Sequence, residues 1–389
     1  MRTRAAVIGA LAGLAALAVV GALGTAPAAH AGNPAAAGGR EGVPAFGHVF
    51  LVVGENTTYD KVDPASAPYL ASTLRSQGAW LTDYYAATHW SQANYMALVT
   101  GGFTDCDQHG KGVVCHRDVD NLFQRLDGAG LSWKVWLESG TAKCDTGSGG
   151  TCTSTEPCPL TGFYTTGNPP VLLDGIEGPG GVWSATTPSA ECLANDVPAG
   201  TATDGMARFD AALASGDVPR FNMVLPNGCE DGEANCKPLN DKIRQFDAFL
   251  AREVPKILAS PAFGDDGVLV VTYDEDMRPG GLAPKNGLAS GGHVVCVIVS
   301  PMLRPGTYGG AAGHYSLLRT IQDGFGLDGY LGHAADVPPH RRGVAAEVTT
   351  RRIAVTAGSE GVVASLCTAI DAGTERSDSL GSPWPGSGS

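Results

Sequence analysis

The sequence predicts an α/β protein, a three-layer α/β/α sandwich built around a mostly parallel central sheet. Short apolar runs rich in β-branched residues recur along the chain, and helical patterns separate them. Uninterrupted runs of this kind are typical of strands that are covered on both faces, as in a parallel sheet. The length of 389 residues suits one large α/β domain once the chain ends are set aside.

Five apolar runs are the predicted strands. In chain order they are His48 to Val53, Ser132 to Leu137, Phe221 to Leu225, Val268 to Tyr273 and Val294 to Val299. Helical spacing of apolar residues, with glycine near several of the ends, predicts the helices between them. These helices are Ala67 to Gln77, Asn121 to Ala129, Leu239 to Ala259 and His314 to Phe325, with a further one after Ser91 that ends near Gly101.

The two ends of the chain are predicted to lie outside the domain. Arg2 and Arg4 precede an apolar run and the small-x-small site Ala29-His30-Ala31, the pattern of a secretory signal peptide over residues 1–31. A membrane anchor is the competing interpretation of that run. We expect a flexible lead-in at 32–44, a single domain at 45–376 with an insertion at about 141–203, and a disordered tail at 377–389. The expected location is extracellular.

Ten cysteines suit an oxidising destination. Cys106 with Cys115, and Cys229 with Cys236, are close enough in sequence to form local bridges. The insertion is expected to be tied by disulfides and contains Cys144, Cys152, Cys158 and Cys192, while Cys296 and Cys367 remain. Their pairing stays open at this point.

The formal net charge of −13 excludes some classes of partner. A nucleic-acid-binding protein needs a basic face, which we do not find. The acidic balance also argues against electrostatic docking on anionic membranes, and no later segment is apolar enough for stable membrane insertion. The oligomeric state is left open.

Polar residues follow two of the predicted strands. Glu55 and Asn56 come directly after the first strand, and Asp274-Glu275-Asp276 follows the most strand-like run. Carboxylate and amide oxygens suit a hard divalent cation. Because chemistry in such sheets gathers at the carboxyl ends of the strands, the two groups are expected to lie together. The plainer alternatives are a turn stabilised by Asn56 and a solvated acidic loop.

Ser91 is the candidate nucleophile. It stands at the N-terminus of a predicted helix, where backbone N–H groups stabilise an anion, and Asn94 could reach the same anion. The alternative is that Ser91 is an ordinary helix cap. His314 and His293 flank other elements and could ligate metal, contact phosphate or protonate a leaving group, or could be structural.

Four blocks of sequence carry a resemblance to a known family. They are V-V-G-E-N-T, T-H-W-S-Q-A-N-Y-M-A-L-V-T-G, V-V-T-Y-D-E-D, and R-P-G-T-Y followed by G-H-Y-S-L-L-R-T-I. Over roughly residues 47 to 330 the chain resembles the bacterial phosphoesterases, which include secreted acid phosphatases and phospholipases C and belong to the alkaline phosphatase superfamily. It most resembles the short secreted acid phosphatases, some of which act as phosphatidylinositol-3-phosphatases. The resemblance implies an alkaline-phosphatase-like fold and hydrolysis of phosphoric esters.

Carried over residue by residue, the resemblance implies that Ser91 is the nucleophile and that His314 is a catalytic partner that contacts phosphate or metal. The ligand set that it implies is Glu55, Asn56, Ser91, Asp274 and Glu275. The substrate contacts that we expect are Asn94, His89, Asp231 and His293. Trp90 and Ala93 replace prolines that are frequent in the family. Many relatives also have Asp-x-His where this chain has Asp231-Gly232-Glu233; His109 or His116 could take the place of that histidine.

The hypothesis from the sequence is a secreted, metal-assisted phosphomonoesterase of the acid phosphatase type. It would act through a phosphoserine and hold one divalent ion, which could be Ca, Mg, Mn or Zn. Its substrate would be a phosphate monoester, which could be a phosphoinositide or another phospholipid. The alternatives are a phospholipase C-type phosphodiesterase and a non-catalytic exported binding protein with the same fold.

Overall fold

The computed structural model describes residues 39–103, 117–140, 142–144, 167–178, 188–201, 204–277 and 290–336. The predicted signal peptide, the tail and much of the insertion lie outside these residues. So do the histidines and cysteines at His109, His116, Cys106, Cys115, Cys152, Cys158 and Cys367. Within the described ranges, no helix is both long and apolar enough to cross a membrane.

The described strands form one large sheet and one small one. In chain order they are β1 (Val49–Gly54), β2 (Ala79–Leu81), β3 (Tyr84–Tyr85), β4 (Trp133–Leu137), β5 (Asp196–Pro198), β6 (Phe221–Leu225), β7 (Val268–Tyr273), β8 (Cys296–Val299), β9 (Gly306–Tyr308) and β10 (Ala312–Gly313). The large sheet has the order β5-β4-β6-β1-β7-β8-β2-β9, and β10 pairs with β3. From β5 to β7 all neighbours are parallel, whereas β8 runs antiparallel to both β7 and β2. The predicted mostly parallel α/β sheet is confirmed.

The central strands are covered on both faces. Every residue of β1, β6 and β7 is buried, although successive side chains of a strand point to opposite faces of the sheet. Both faces of the sheet must therefore be packed against other elements. This is the physical reason why these strands are continuous apolar runs in the sequence, and it gives the three layers that the sequence predicts.

Helices occupy the connections. The α-helices are α1 (Arg75–Gln77), α2 (Ser91–Thr100), α3 (Leu122–Gly128), α4 (Asp174–Glu177), α5 (Ala190–Asn195), α6 (Ala207–Ser215), α7 (Lys242–Ala259) and α8 (His314–Phe325). A π-helical turn at Tyr69–Leu74 leads into α1, so the helix predicted from Ala67 to Gln77 has two parts. At its start, the N–H groups of Tyr69 and Leu70 donate to the Asp247 carboxylate of α7.

Part of the insertion belongs to the large sheet. Its last strand, β5, pairs in parallel with β4 at the edge of the sheet, and a disulfide joins Cys144 to Cys192 just before it. The predicted local bridge between Cys229 and Cys236 is confirmed. Cys296 is buried at the start of β8.

Candidate active site

The site lies at the carboxyl ends of neighbouring parallel strands. β1 ends at Gly54, which is in register with Tyr273, the last residue of β7. Glu55 and Asp274 therefore leave adjacent strands side by side, and both are buried. The sheet thus brings together the polar residues that follow the two predicted strands, as expected from the sequence.

Asn56 connects three acidic residues. Its backbone has a φ of 44°, which is unusual for a residue other than glycine. The backbone N–H donates to Asp274 Oδ1 at 2.9 Å. The side-chain Nδ2 donates to Glu55 Oε2 and to Glu233 Oε2, each at 2.9 Å. These three hydrogen bonds hold the unusual backbone conformation and fix the orientation of the amide.

Ser91 lies between two of the carboxylates. It is the first residue of α2, and its Oγ is 3.0 Å from Glu55 Oε2 and 3.1 Å from Glu275 Oε1. The preceding residue, Trp90, has a φ of 84° and a ψ of 112°. Its backbone N–H donates to Glu275 Oε2 at 2.9 Å, so the carboxylate of Glu275 holds the sharp turn that presents Ser91.

His89 completes this side of the site. Its Nδ1 is 2.7 Å from Glu275 Oε2, and its Nε2 is 3.8 Å from Asp276 Oδ1. The hydrogen bond to Glu275 raises the pKa of His89 against the opposing effect of burial. The imidazole is partly exposed at the edge of an acidic site, and its raised pKa favours the protonated form.

The loop after β6 adds a third strand end. Glu55 N donates to the backbone oxygen of Asp231 at 2.7 Å, and Glu233 N donates to Asp231 Oδ1 at 2.7 Å. Gly232 between them has a φ of 103°, and a Cβ there would lie 2.9 Å from the backbone oxygen of Glu55. Glycine is therefore needed for this close approach. The loop carries Asp231 and Glu233 directly against Glu55 and Asn56.

The buried carboxylates lie close enough to repel one another when they are ionised. Burial, and then the negative charges of Asp274, Asp231 and Glu233, raise the pKa of Glu55 well above its usual range. Burial, and then Glu275, raise the pKa of Asp274 to about 7. Asp274 Oδ2 is buried without a well-formed hydrogen bond, although Ser91 and Glu55 lie near enough to lower that pKa in part. Buried acids of this density call for a compensating cation.

The oxygens suited to a cation come from the residues implied by the resemblance. Among the described residues, only Cys144, Cys192 and Asp196 form a group of three Cys, His, Asp or Glu whose ligand atoms lie within 4.8 Å of one another. Those two cysteines are joined in a disulfide, so they are not thiolate ligands. The carboxylates around Ser91 are spaced more widely. These carboxylates could surround an ion only together with the side-chain oxygens of Asn56 and Ser91.

Asn94 and Asp231 lie in the site as supports. The Asn94 amide accepts from Thr88 N at 3.0 Å and donates to Thr88 O at 2.6 Å, which closes the turn before Ser91. A contact between this amide and phosphate, as predicted, would have to compete with Thr88. Asp231 is buried with its Oδ1 occupied by Glu233 N, behind Glu55 rather than at the surface.

The other two described histidines of the predicted site, His293 and His314, lie in different surroundings. His293 Nε2 is 3.0 Å from Thr82 O, and its ring is stacked between Tyr59 and Tyr85. His314 is buried behind the strand end, where Nε2 is 2.7 Å from Asp274 O and Nδ1 is 3.0 Å from the Tyr84 hydroxyl. Since a carbonyl only accepts, Nε2 carries the proton and Nδ1 accepts from Tyr84. Burial lowers the pKa of His314 to about 4.

Two further residues were not predicted. Tyr95, one helical turn after Ser91, is buried, and its hydrogen bond with Glu55 lowers the pKa of that acid. Lys242, the first residue of α7, donates from Nζ to Asn56 O at 3.2 Å. The spacing of four residues along α2 could have indicated Tyr95. Nothing local in the sequence indicates Lys242, because it reaches the site from a distant helix.

The chain is similar in sequence to proteins that are named as phosphatases. The chain is 27% identical over 307 residues to a phosphatidylinositol-3-phosphatase of Mycobacterium tuberculosis, covering 76% of this chain and 82% of that protein. It is 26% identical over 233 residues to a probable acid phosphatase of Kluyveromyces lactis, covering 60% of this chain but only 48% of that protein. The match thus spans about half the length of the yeast relative.

Among solved structures, an alkaline phosphatase superfamily protein of Vibrio parahaemolyticus aligns with 79% of this chain and 72% of its own, at 16% identity and a TM-score of 0.47. The sequence model of the phosphoesterase family matches residues 62–328, which is more than half of the chain. Family and relatives' names alike support a phosphoric ester hydrolase. The chain belongs to the phosphoesterase family.

Proposed function

We propose that the protein is a secreted phosphomonoesterase of the acid phosphatase type that acts through a phosphoserine on Ser91. One observation carries this proposal: the Ser91 hydroxyl is held between Glu55 Oε2 and Glu275 Oε1. An ordinary capping serine precedes its helix and accepts from that helix's backbone N–H groups, whereas Trp90 is the N-cap residue of α2 and Ser91 is its first helical residue. Ser91 instead points into an acidic cluster.

A divalent cation fits this cluster. Glu55, Asn56, Asp274 and Glu275 would hold it together with Ser91 Oγ, and the buried, poorly satisfied Asp274 Oδ2 is the atom that most requires it. When bound, the ion would lower the pKa of the serine hydroxyl and neutralise charge on the phosphoryl group. Oxygen ligands suit Ca, Mg or Mn, and Zn is also compatible. We propose a single ion.

The protein's own residues carry out the other steps of the proposed reaction. The Ser91 oxygen attacks phosphorus in line, its proton passes to one of the two carboxylates that flank it, and the alcohol leaves. Asn56 and Trp90, through their backbone N–H groups, keep Asp274 and Glu275 in place. Water then hydrolyses the phosphoserine, so that Ser91 regains its proton and phosphate is released.

We assign the proton for the leaving alcohol to His89. Its ring is partly exposed, and its pKa is raised by the hydrogen bond with Glu275. General acids work best when they are protonated near the working pH and can reach the substrate. His314, the acid expected from the sequence, is buried, with a proton acceptor and a proton donor already at its two nitrogens. We therefore propose that His314 positions Asp274.

The relatives' names support the substrate class that we propose. A phosphate monoester is a substrate consistent with the names of both relatives. The name of the mycobacterial relative makes a phosphoinositide the lipid to test first. Secretion is proposed from the predicted signal peptide, which lies outside the described residues.

Replacing Ser91 with alanine tests the mechanism. Ser91→Ala should lower kcat for an aryl phosphate by about three orders of magnitude or more, because it removes the nucleophile. Ser76→Ala, at an exposed serine of α1, is the matched control and should keep full activity. Acid-quenched wild-type protein should carry phosphate on Ser91 by mass spectrometry. Substantial activity in Ser91→Ala, or phosphate on another residue, would refute the proposal.

A further inference from the structure

Glu233 is the outward-facing member of the carboxylate cluster. Glu55, Asp231 and Asp274 are buried, whereas Glu233 is partly exposed. Three successive hydrogen bonds link it to the nucleophile, from Ser91 Oγ to Glu55 Oε2 at 3.0 Å, then through Asn56 Nδ2 to Glu233 Oε2 at 2.9 Å each. Glu233 thus lies within roughly one Debye length of the reacting oxygen, where its charge is only partly screened.

The position of Glu233 is fixed from two sides. Its side chain accepts from Asn56, and its backbone N–H donates to Asp231. Gly232 allows the loop to pack against Glu55, and the disulfide between Cys229 and Cys236 closes the same loop. A carboxylate held in this way cannot easily move aside when an anionic substrate arrives.

The charge of the substrate depends on its class. A phosphate monoester carries close to two negative charges above its second pKa of about 6, and one below it. A phosphodiester carries one charge throughout. A fixed negative group near the phosphoryl site therefore penalises a doubly charged monoester more than a singly charged ester.

We propose that Glu233 is a specificity-determining residue that favours singly charged phosphate esters, either diesters or monoesters protonated at mildly acidic pH. This inference rests on the proposed function. Glu233 contributes a like charge at the partly exposed side of the carboxylate cluster, while the buried acids would hold the cation. Its effect is on the choice between substrates, and the attack by Ser91 does not require it.

Two substrates with the same leaving group measure this effect. We suggest 4-nitrophenyl phosphate and methyl 4-nitrophenyl phosphate at pH 7.5 with saturating divalent metal, using wild type, Glu233→Gln and Glu233→Lys. The quantity to compare is the ratio of kcat/KM for the monoester to kcat/KM for the diester. This ratio does not depend on the fraction of correctly folded enzyme. Glutamine keeps an acceptor for Asn56, so that variant removes the charge alone.

The ratio should rise between about two- and twentyfold from Glu233 to glutamine, and again from glutamine to lysine, the range expected for one unit charge at this separation. Glu41→Gln and Glu41→Lys are the charge-matched controls. Arg40 N donates to Asp323 O near the far end of α8, whose first residue contacts Asp274, so Glu41 lies roughly 15 Å from the site. Both controls should leave the ratio unchanged.

The outcomes separate the two proposals. If wild type hydrolyses the esters but the ratio stays constant across the Glu233 series, the role of Glu233 is wrong and the proposed function stands. If the ratio changes equally in the Glu41 series, the effect is one of net charge and the inference also fails. If wild type hydrolyses neither ester, the proposed function fails and this inference fails with it.

Discussion

His314 lies directly behind Asp274, with its Nε2–H donating to the Asp274 carbonyl oxygen at 2.7 Å. Its other nitrogen accepts from the buried Tyr84 hydroxyl. The side chain thus joins the start of α8 to the end of β7. It acts on the acidic site through the backbone of Asp274, which is the ligand candidate with a poorly satisfied oxygen.

Because His314 is buried, its titration should contribute to the pH dependence of the free energy of unfolding. Its pKa of about 4 in the folded protein is below its usual 6.5, so the unfolded chain binds the proton more tightly. The contribution of His314 to the free energy of unfolding should therefore fall as the pH drops from about 6.5 toward 4. In urea titrations the free energy of unfolding of wild type should fall relative to that of His314→Gln across that window. Tyr84→Phe, which keeps the imidazole, should retain the slope of wild type; equal slopes in all three would contradict the assignment.

Metal should stabilise the protein more at high pH than at low pH. The pKa of Asp274 is raised to about 7 in the metal-free fold, above its usual 3.8, so its contribution to stability is complete below pH 3.8 and is lost as the pH rises through 7. A cation that binds the carboxylate reverses this loss. The increase in Tm on adding metal to chelated protein should be larger at pH 8 than at pH 5. Metal-free Asp274→Asn should be more stable than metal-free wild type at pH 8, and a metal effect independent of pH would argue against the cation site.

His89→Gln should lower kcat by about 10²- to 10⁴-fold, the usual contribution of a general acid. The loss should be larger for phenyl phosphate than for 4-nitrophenyl phosphate, because the poorer leaving group needs the proton more. His314→Gln should affect both esters by the same factor. Equal losses for the two esters in His89→Gln would show that His89 does not protonate the leaving group.

Trp90→Gly should be tolerated better than Trp90→Ala. Trp90 has a φ of 84°, a conformation that costs a residue with a Cβ on the order of 1 kcal/mol or more, and half of its side chain is exposed. Glycine removes that cost at the price of a freer unfolded chain. In urea denaturation the glycine variant should be about 1 kcal/mol more stable than the alanine variant. The reverse order would mean that the backbone is not strained there.

Much of the fold could be predicted because the central strands are covered on both faces. Phe221–Leu225 and Val268–Tyr273 agree with the predicted bounds, since a strand buried on both sides is a plain apolar run. The short strands β2, β5 and β9 were missed. Their three-residue length leaves no periodicity to detect, and they exist because longer neighbours offer them backbone partners.

The site was predictable where it depends on strand ends and less so where it depends on distant contacts. Glu55 and Asp274 come together because β1 and β7 are adjacent and in register. The partners of His314 and Asn94 could not be anticipated, because hydrogen bonds to Tyr84 and to Thr88 depend on how loops fold back. The role of Glu233 likewise needed its contact with Asn56.

The disulfide between Cys229 and Cys236 encloses the segment that carries Asp231 and Glu233. This ties the assembly of the acidic site to the redox state of its surroundings. In a reducing cytosol the loop would lose its closure, and repulsion among the carboxylates would favour opening. In the secreted enzyme that we propose, the acidic site would be fully assembled only where thiols are oxidised.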